Sequence, residues 1–286
     1  MKSNIIKVLI AMIIIVTIIG ITYYYIRVAT SSMPKEIFEK YNYKEEKFMG
    51  RNIYIISTKE KASNLKILYI HGGSYVGELE KIHWEFFKDI IDDTNASIIV
   101  PDYPLAPANT YKEVFKMMEP FYKEIIEEVG SERLIVMGDS AGGGLSLALC
   151  EKLSQENVQM PRELILISPW LDVRLENPEI DKVDDPVLNK SLLSISGKSY
   201  AGKDGMDSYL VNPIIGPTDK LGNITIITGT RDMLYPDCKR FAEKLSNVNY
   251  IEIKDAIHNF ILKRRENVVG AQEGYDIILE ILKGEW

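Results

Sequence analysis

The residues best suited to chemistry in this chain form a G-x-S-x-G run, in which Ser140 stands between Gly138 and Gly142. Apolar, β-prone residues precede the run at 133–137, and strong helix formers follow it at 145–150. This pattern predicts a strand, a sharp turn with serine at its apex, and a helix, a context that exposes a serine as a nucleophile. The turn needs small neighbours because the serine backbone is strained and the helix passes close to the strand. Taken alone, the run could be an ordinary turn, so the interpretation depends on its partners.

A second glycine turn has the composition of an oxyanion hole, a set of N–H groups that stabilises negative charge on a substrate oxygen. The strand-like residues 66–70 lead directly into the motif His71-Gly72-Gly73-Ser74. Glycines let backbone N–H groups approach a ligand with no side chain in the way. We expect these amides to act together with that of Ala141. The alternative is a plain Gly-Gly turn at the end of a strand.

A serine hydroxyl needs a general base, and the chain offers three histidines for that role. His71 belongs to the glycine turn and His83 lies in a helix-like segment, whereas His258 follows the strand-like residues 250–253 late in the chain. Elimination and position favour His258 as the base. The alternative is a surface or packing histidine.

The acid that orients the imidazole is expected between the serine and the histidine, directly after a strand. Asp232 meets this condition, because the strand-like residues 224–228 and a short Gly-Thr-Arg turn precede it. Asp237 is the nearest competitor, but it is predicted to lie on the next helix. The alternative for Asp232 is a solvated turn aspartate. The predicted triad is therefore Ser140, Asp232 and His258.

Five sequence blocks resemble the hormone-sensitive-lipase-like carboxylesterases, the family IV lipolytic enzymes of the α/β-hydrolase superfamily. The resemblance extends over roughly residues 50–286, in order and with similar spacing. The Asp-Pro-Val-Leu run at 185–188 and the segment around His258 also fit. The five blocks lie at residues 71–74, 102–107, 138–143, 167–172 and 229–234.

The resemblance implies a serine esterase of α/β-hydrolase fold that uses neither a metal nor an organic cofactor. Ser140 would attack the ester carbonyl, His258 would take the proton and deliver it to the leaving alcohol, and Asp232 would hold the imidazole. Water would then hydrolyse the acyl-enzyme by the same route. The His83-Trp84 pair is similar to that of bacterial acetyl-esterase-like members, which favours short acyl groups. The expected substrates are esters of short- to medium-chain acyl groups.

The resemblance also implies which amides form the oxyanion hole. The donors would be the N–H groups of Gly73, Ser74 and Ala141, with Gly72 shaping the turn. The family has a third glycine where this chain has Ser74. A serine still offers its N–H, but it tolerates positive φ less well than glycine, and its side chain would narrow the pocket.

Alternating strand-like and helix-like segments predict an α/β fold, with a mostly parallel sheet flanked by helices on both faces. Apolar residues make up 46% of the 286 residues, enough for a large core. A hydrolase sheet with inserts can use this length as one domain. Strands are predicted to begin near residues 52, 66, 96, 133, 163, 224 and 248, and helices near 83, 111, 141, 192, 236 and 270.

Residues 172–222 break this alternation, because they contain many polar, proline and glycine residues. The resemblance implies that such an insert joins the N-terminal segment to form a small helical cap over the pocket. We expect the cap at about residues 28–50 and 174–215 of a catalytic domain at 28–286. The alternative is a plain surface crossover. A cap would exclude water and restrict the size of the ester.

The chain carries a net charge of −7 without a basic stripe, which argues against nucleic-acid binding. The two cysteines, Cys150 and Cys238, lie on different predicted helices. They have neither metal-ligand spacing nor the pattern of a disulfide framework. Cys150 is expected to be a buried thiol.

The N-terminal segment contains an uncharged run at residues 8–26 that is dominated by isoleucine. A helix of this length is about 28 Å long, close to the thickness of a bilayer core. We expect residues 1–27 to form a single-pass membrane anchor, with the catalytic domain outside the cytoplasm and its pocket near the bilayer, where it would take lipophilic esters. A cleaved secretion signal and a buried N-terminal helix are the alternatives.

Other function classes stay open at this point. A catalytically silent hydrolase-fold binding protein is one, although such proteins typically lack a triad residue. A peptidase or an acyltransferase is another, because a serine triad dictates acyl transfer but not the acceptor. The sequence does not specify the oligomeric state.

Overall fold

The computed structural model describes residues 33–284, and the predicted membrane anchor at residues 1–27 lies outside them. Between residues 33 and 284, no helix is both long enough and apolar enough to cross a membrane.

A mixed, mostly parallel sheet forms the centre of the described chain. In chain order its strands are β1 (Tyr41–Phe48), β2 (Arg51–Thr58), β3 (Lys66–Ile70), β4 (Ser97–Pro101), β5 (Leu134–Asp139), β6 (Glu163–Ile167), β7 (Ile224–Arg231) and β8 (Asn249–Ile257). Their order across the sheet is β1-β2-β4-β3-β5-β6-β7-β8. The pairs β1/β2 and β2/β4 are antiparallel, and all later neighbours are parallel. The predicted mostly parallel α/β architecture is confirmed.

The helices connect the strands and cover both faces of the sheet. They are α1 (Lys35–Lys40), α2 (Lys81–Thr94), α3 (Tyr111–Val129), α4 (Ser140–Gln155), α5 (Lys190–Ala201), α6 (Tyr235–Ala242) and α7 (Ala271–Lys283). Short 3₁₀ helices lie at Ser131–Arg133, Pro178–Lys182, Pro213–Ile215 and Phe260–Glu266. Every strand and helix start predicted from the sequence lies within about two residues of the observed one.

The two faces of the sheet bury different sets of side chains, because successive residues of a strand point to opposite faces. In β3, Leu68 and Ile70 pack against the layer that contains α3, α4, α5 and α6. Ile67 and Tyr69 pack against the layer that contains α1, α2 and α7. Both faces of the central strands are therefore buried, which explains their nearly continuous apolar sequences.

The structure differs from the expected cap at residues 33–50. The helix α1 buries Ile37 in the layer beside α2, and β1 pairs with β2 along its whole length. Pairing with β1 satisfies backbone groups of β2 that an open sheet edge would leave without partners. This segment thus extends the sheet and does not form part of a cap. The insert at residues 174–215 stays the predicted cap.

Candidate active site

The three residues of the predicted triad all follow the carboxyl ends of parallel strands. Ser140 follows β5, Asp232 follows β7 and His258 follows β8. These strands are neighbours or near neighbours in the sheet, and their carboxyl ends lie at one edge. The fold therefore brings together side chains that are far apart in the chain.

The three side chains form a continuous hydrogen-bonded chain. The His258 Nδ1 atom lies 2.8 Å from Asp232 Oδ2, and its Nε2 atom lies 3.0 Å from Ser140 Oγ. With the imidazole proton placed on Nδ1 and donated to Asp232, Nε2 is free to accept the serine hydroxyl proton. All three residues are buried. The competitor Asp237 lies instead on α6, where it accepts a hydrogen bond from the Asn177 amide.

Burial and neighbouring carboxylates act in opposite directions on the base. Burial lowers the pKa of His258, but the Asp232 carboxylate raises it, and the charges of Asp185 and Asp139 add to that effect. The net result is a pKa above the ordinary value of 6.5. The imidazole is thus a stronger base than a free histidine side chain, and the imidazolium formed after proton transfer is stabilised.

The turn that carries Ser140 has the strained backbone that the sequence predicts. Ser140 has φ +50°, in the left-handed region that non-glycine residues seldom adopt. Immediately beyond it, α4 passes close to the end of β3, because a Cβ on Gly142 would lie 2.0 Å from the Ile70 carbonyl oxygen. A glycine at this position therefore lets the helix begin at Ser140, with its N-terminus directed at the candidate site.

The four residues of the predicted oxyanion hole lie beside this turn, but their amides are not equivalent. The Gly72 amide donates to Asp139 Oδ1 at 2.9 Å, so it is already engaged. The amides of Gly73 and Ser74 make no hydrogen bond within the described part of the chain. The Ala141 amide lies in the first turn of α4, where helix N–H groups lack an intrahelical partner. Gly73, Ser74 and Ala141 can thus donate to a ligand.

A cavity of about 240 Å³ opens onto the serine and the histidine. Its apolar wall consists of Ile82, Val187, Leu188 and Leu262. The polar residues that line it include both Ser140 and His258, Gly73 and Ser74 of the glycine turn, and His83, Asp139, Asn259, Glu80 and Lys263. A site of this composition suits a small, largely apolar molecule with one polar reacting group.

The insert at residues 174–215 contributes to this cavity through one bend. The Asp185 carboxylate accepts hydrogen bonds from the amides of Val187 and Leu188, at 2.7 Å and 3.0 Å, and thereby shapes the bend. The same carboxylate also accepts a hydrogen bond from the backbone N–H of Met233 at 2.8 Å, and Met233 directly follows Asp232. The insert is thus connected directly to the loop that contains Asp232.

Sequence reasoning missed two polar groups of this site. Asp139 occupies the position before Ser140 in the G-x-S-x-G run, where the motif specifies no residue type, yet its carboxylate contacts Gly72 and Asn259. The sequence places His83 on a helix and in the His83-Trp84 pair, but it does not indicate that the imidazole lies 3.4 Å from Asp139 and lines the cavity. No signal in the sequence indicates these contacts, because the partners are distant in the chain and the fold alone brings them together.

The described residues form neither a cluster of metal ligands nor a disulfide. Across residues 33–284, no group of three or more His, Cys, Asp or Glu side chains is arranged to hold a metal ion. Cys150 and Cys238 are buried free thiols, as predicted for Cys150. Burial raises the pKa of Cys150 to about 12, so this thiol is inert at neutral pH.

Comparison with known proteins places this geometry in a family. A family model described as alpha/beta hydrolase fold matches residues 67–262. The chain belongs to the α/β hydrolases. The matched region contains Ser140, Asp232 and His258, and it includes the whole insert.

Individual relatives of this α/β hydrolase refine the assignment. An esterase from Acinetobacter venetianus is 32% identical over 193 residues, which cover 66% of this chain and 63% of the relative. The hormone-sensitive lipase of Mus musculus is 26% identical over 157 residues, or 51% of this chain and 20% of that lipase. The α/β hydrolase thus spans less than two thirds of the length of either protein.

A solved structure supports the same assignment. The hormone-sensitive lipase from a metagenome library is 25% identical, with a TM-score of 0.76 and coverage of 86% of this chain and 83% of that one. The predicted resemblance to the hormone-sensitive-lipase-like carboxylesterases is confirmed, and the relatives are named as enzymes of the esterase and lipase class.

Proposed function

We propose that this α/β hydrolase is a serine carboxylic ester hydrolase that acts through an acyl-enzyme. The observation that carries the proposal is the hydrogen-bonded chain from Ser140 through His258 to Asp232, with distances of 3.0 Å and 2.8 Å. A nucleophile within reach of a base, and a base oriented by a buried acid, together form the arrangement that activates a serine hydroxyl.

The reaction follows from this arrangement in two half-reactions. Ser140 Oγ attacks the ester carbonyl carbon while His258 Nε2 takes its proton, and the tetrahedral oxyanion accepts hydrogen bonds from the free amides. Collapse of this intermediate breaks the bond to the alcohol, which leaves with the proton from His258. A water molecule then loses a proton to His258 and attacks the acyl carbon, and the acid is released as the Ser140 hydroxyl is restored.

The dimensions of the cavity favour esters of short- to medium-chain acyl groups. A cavity of about 240 Å³ is small for a ligand site, and the Ser74 side chain forms part of its wall. The apolar wall of Ile82, Val187, Leu188 and Leu262 suits an aliphatic acyl chain. Longer chains would have to extend past Val187, which is exposed at the mouth of the cavity.

A chain-length series tests the proposal. The full-length protein and its Ser140→Ala variant are compared on p-nitrophenyl esters from acetate to octanoate. We expect turnover that is highest for the shorter esters, and no turnover above the uncatalysed rate for Ser140→Ala. A folded wild-type protein that is inert on every ester would instead support the silent binding protein, and an active Ser140→Ala variant would exclude this serine as the nucleophile.

The acceptor of the acyl group is tested separately, because a peptidase or an acyltransferase could use the same triad. Product analysis of an ester substrate with and without an added alcohol distinguishes hydrolysis from transfer. The proposal predicts the free acid as the main product in both cases. A transferred ester as the main product would support an acyltransferase instead.

We also propose that residues 1–27 anchor the enzyme to a membrane, with the catalytic domain outside the cytoplasm. The proposal rests on the uncharged run at residues 8–26 and on the lysines that precede it. The full-length protein is expected in the membrane fraction, and the chain without residues 1–27 in the supernatant, with equal activity on soluble esters. A full-length protein that remains in the supernatant would contradict the anchor.

A further inference from the structure

Asp139, the residue before the proposed nucleophile, carries a fully buried carboxylate. Its Oδ1 atom accepts hydrogen bonds from the Tyr69 hydroxyl at 2.8 Å and from the Gly72 amide at 2.9 Å. Its Oδ2 atom accepts a hydrogen bond from Asn259 Nδ2 at 2.7 Å. Several donors thus replace the water that the carboxylate loses on burial.

The carboxylate is ionised in the folded protein. Burial raises the pKa of Asp139, but His83, the Tyr69 hydroxyl and the Gly72 amide together lower it to about 2. His83 faces the carboxylate from α2, and its Nδ1 atom accepts the Glu80 amide at 3.0 Å. This contact leaves the imidazole proton on Nε2, which lies 3.4 Å from Asp139 Oδ1.

Two of the three donors to this carboxylate come from separate loops of the proposed active site. Gly72 belongs to the turn at residues 71–74, called here the oxyanion turn. Asn259 directly follows His258 in the histidine loop, and Asp139 directly precedes Ser140 in the nucleophile turn. One side chain therefore connects the nucleophile turn with loops that are 67 and 120 residues away in the chain.

The residues around the Asp139 carboxylate are closely packed. A Cβ on Gly72 would lie 2.3 Å from Asp139 Oδ2, so the oxyanion turn rests directly on the carboxylate. Asn259 has φ +53°, and its backbone N–H donates a hydrogen bond to Ser168 Oγ at 3.3 Å. The loop that follows His258 is thus held in a left-handed turn at the point where it meets Asp139.

We propose that Asp139 is a positioning residue for the ester hydrolysis proposed above, on which this inference rests. Its carboxylate fixes the oxyanion turn, the nucleophile turn and the histidine loop relative to one another. Oxyanion donors and nucleophile act only when they are placed within a few tenths of an ångström of the productive geometry. A loss of this connection weakens transition-state binding and leaves ground-state binding of the ester nearly unchanged.

The variant Asp139→Asn tests the proposal with little change of shape. Asparagine has one acceptor oxygen and an NH₂ group, so it cannot accept hydrogen bonds at both positions as the carboxylate does. We expect kcat for p-nitrophenyl acetate to fall by about tenfold or more, with KM changed by less than about threefold. The affinity for an alkyl boronic acid, which forms a tetrahedral adduct on the serine, is expected to fall in parallel with kcat.

The matched control is Glu163→Gln. Glu163 is also a buried carboxyl group, and it accepts a hydrogen bond from the Thr225 hydroxyl at 2.7 Å. It lies at the first residue of β6, however, and thus at the opposite end of the strands from Ser140. This variant should retain the wild-type kcat and boronic acid affinity. Asn259→Ala provides a milder change, in case Asp139→Asn does not fold, and should lower kcat less at unchanged KM.

The possible outcomes separate this inference from the proposed function. A folded Asp139→Asn variant with wild-type kcat and boronic acid affinity would overturn the positioning role, as would a rise in KM that accounts for the whole loss. Equal losses in Glu163→Gln would also overturn it, because they would indicate a general effect of stability. An inactive wild-type protein would contradict the proposed function itself.

Discussion

The ring of Tyr75 lies face to face with that of Tyr200, with centroids 3.7 Å apart and planes within 3° of parallel. Tyr75 follows Ser74 in the oxyanion turn and has φ +64°, and Tyr200 lies on α5 of the insert. The insert therefore packs directly on the residue that follows the turn whose amides are proposed to stabilise the transition state, and we expect this contact to support the geometry of that turn.

Two substitutions of Tyr200 separate its ring from its hydroxyl. The hydroxyl is buried and has no hydrogen-bond partner within residues 33–284, so Tyr200→Phe should leave stability unchanged or slightly raise it. Tyr200→Ala removes the ring and should lower the free energy of unfolding by about 3–5 kcal/mol. It should also lower kcat, because Tyr75 loses its support. Urea unfolding and ester kinetics measure both effects, and an unchanged kcat in Tyr200→Ala would show that the stacking does not reach the active site.

Ser74 is expected to restrict the acyl group. It has φ +55°, a conformation that suits glycine better than serine, and its side chain lines the cavity. Ser74→Gly should therefore fold normally and raise the ratio of kcat/KM for the octanoate ester to that for the acetate ester. Ser74→Ala keeps the Cβ and the same backbone strain, so its ratio should stay closer to that of the wild type. If both variants give the wild-type ratio, Ser74 does not limit the acyl chain.

The pH dependence of kcat/KM should follow the ionisation of His258. The base acts only when neutral, so activity falls as the pH drops through its pKa. Burial lowers this pKa, but Asp232, Asp185 and Asp139 raise it above 6.5 overall. The midpoint of the acid limb is thus expected above pH 6.5, and it should move to lower pH in Asp185→Asn, which has one negative charge fewer. A rate that stays flat down to about pH 4 would exclude His258 as the base.

A buried carboxyl group away from the site should make stability depend on pH. Glu151 on α4 has both carboxyl oxygens buried without a hydrogen-bond partner in the described chain. Burial raises its pKa from 4.5 to about 10, against the opposing charge of Lys244. Because the folded-state pKa is the higher one, its contribution to stability is complete below the unfolded pKa. That contribution is lost progressively as the pH rises towards 10.

Glu151→Gln removes this dependence and keeps the shape of the side chain. The stability of the variant relative to the wild type should increase by up to about 1.4 kcal/mol for each pH unit between the two pKa values. Urea unfolding of both proteins at about pH 6 and about pH 8 measures the difference. The same difference at both pH values would mean that Glu151 is ionised in the folded protein.

The elements that carry the site could be predicted because their signals are local. The starts of β2 to β8 were visible in the sequence, and Ser140, Asp232 and His258 each come shortly after one of the apolar runs. The parallel arrangement then requires residues at the carboxyl ends of the strands to meet at one edge. That these three side chains lie together was therefore predictable from the order and the spacing of the elements.

The strand β1 was not predictable in the same way. Most of its side chains are exposed or only half-buried, so Tyr41–Phe48 lacks the alternating apolar pattern of a strand that packs on a core. Its place at the sheet edge depends on backbone pairing with β2, which the sequence does not reveal. The contacts of Asp139 were missed for a related reason, since they depend on how three distant loops pack.

Trapping the acyl group tests the central claim most directly. The full-length protein is mixed with p-nitrophenyl butyrate, quenched in acid during turnover and digested, and mass spectrometry locates any butyryl group. The account predicts a butyryl group on Ser140 in the wild type and its absence in Ser140→Ala, which should also release no p-nitrophenolate above the uncatalysed rate. Turnover by Ser140→Ala, or a butyryl group located only on another residue, would contradict it.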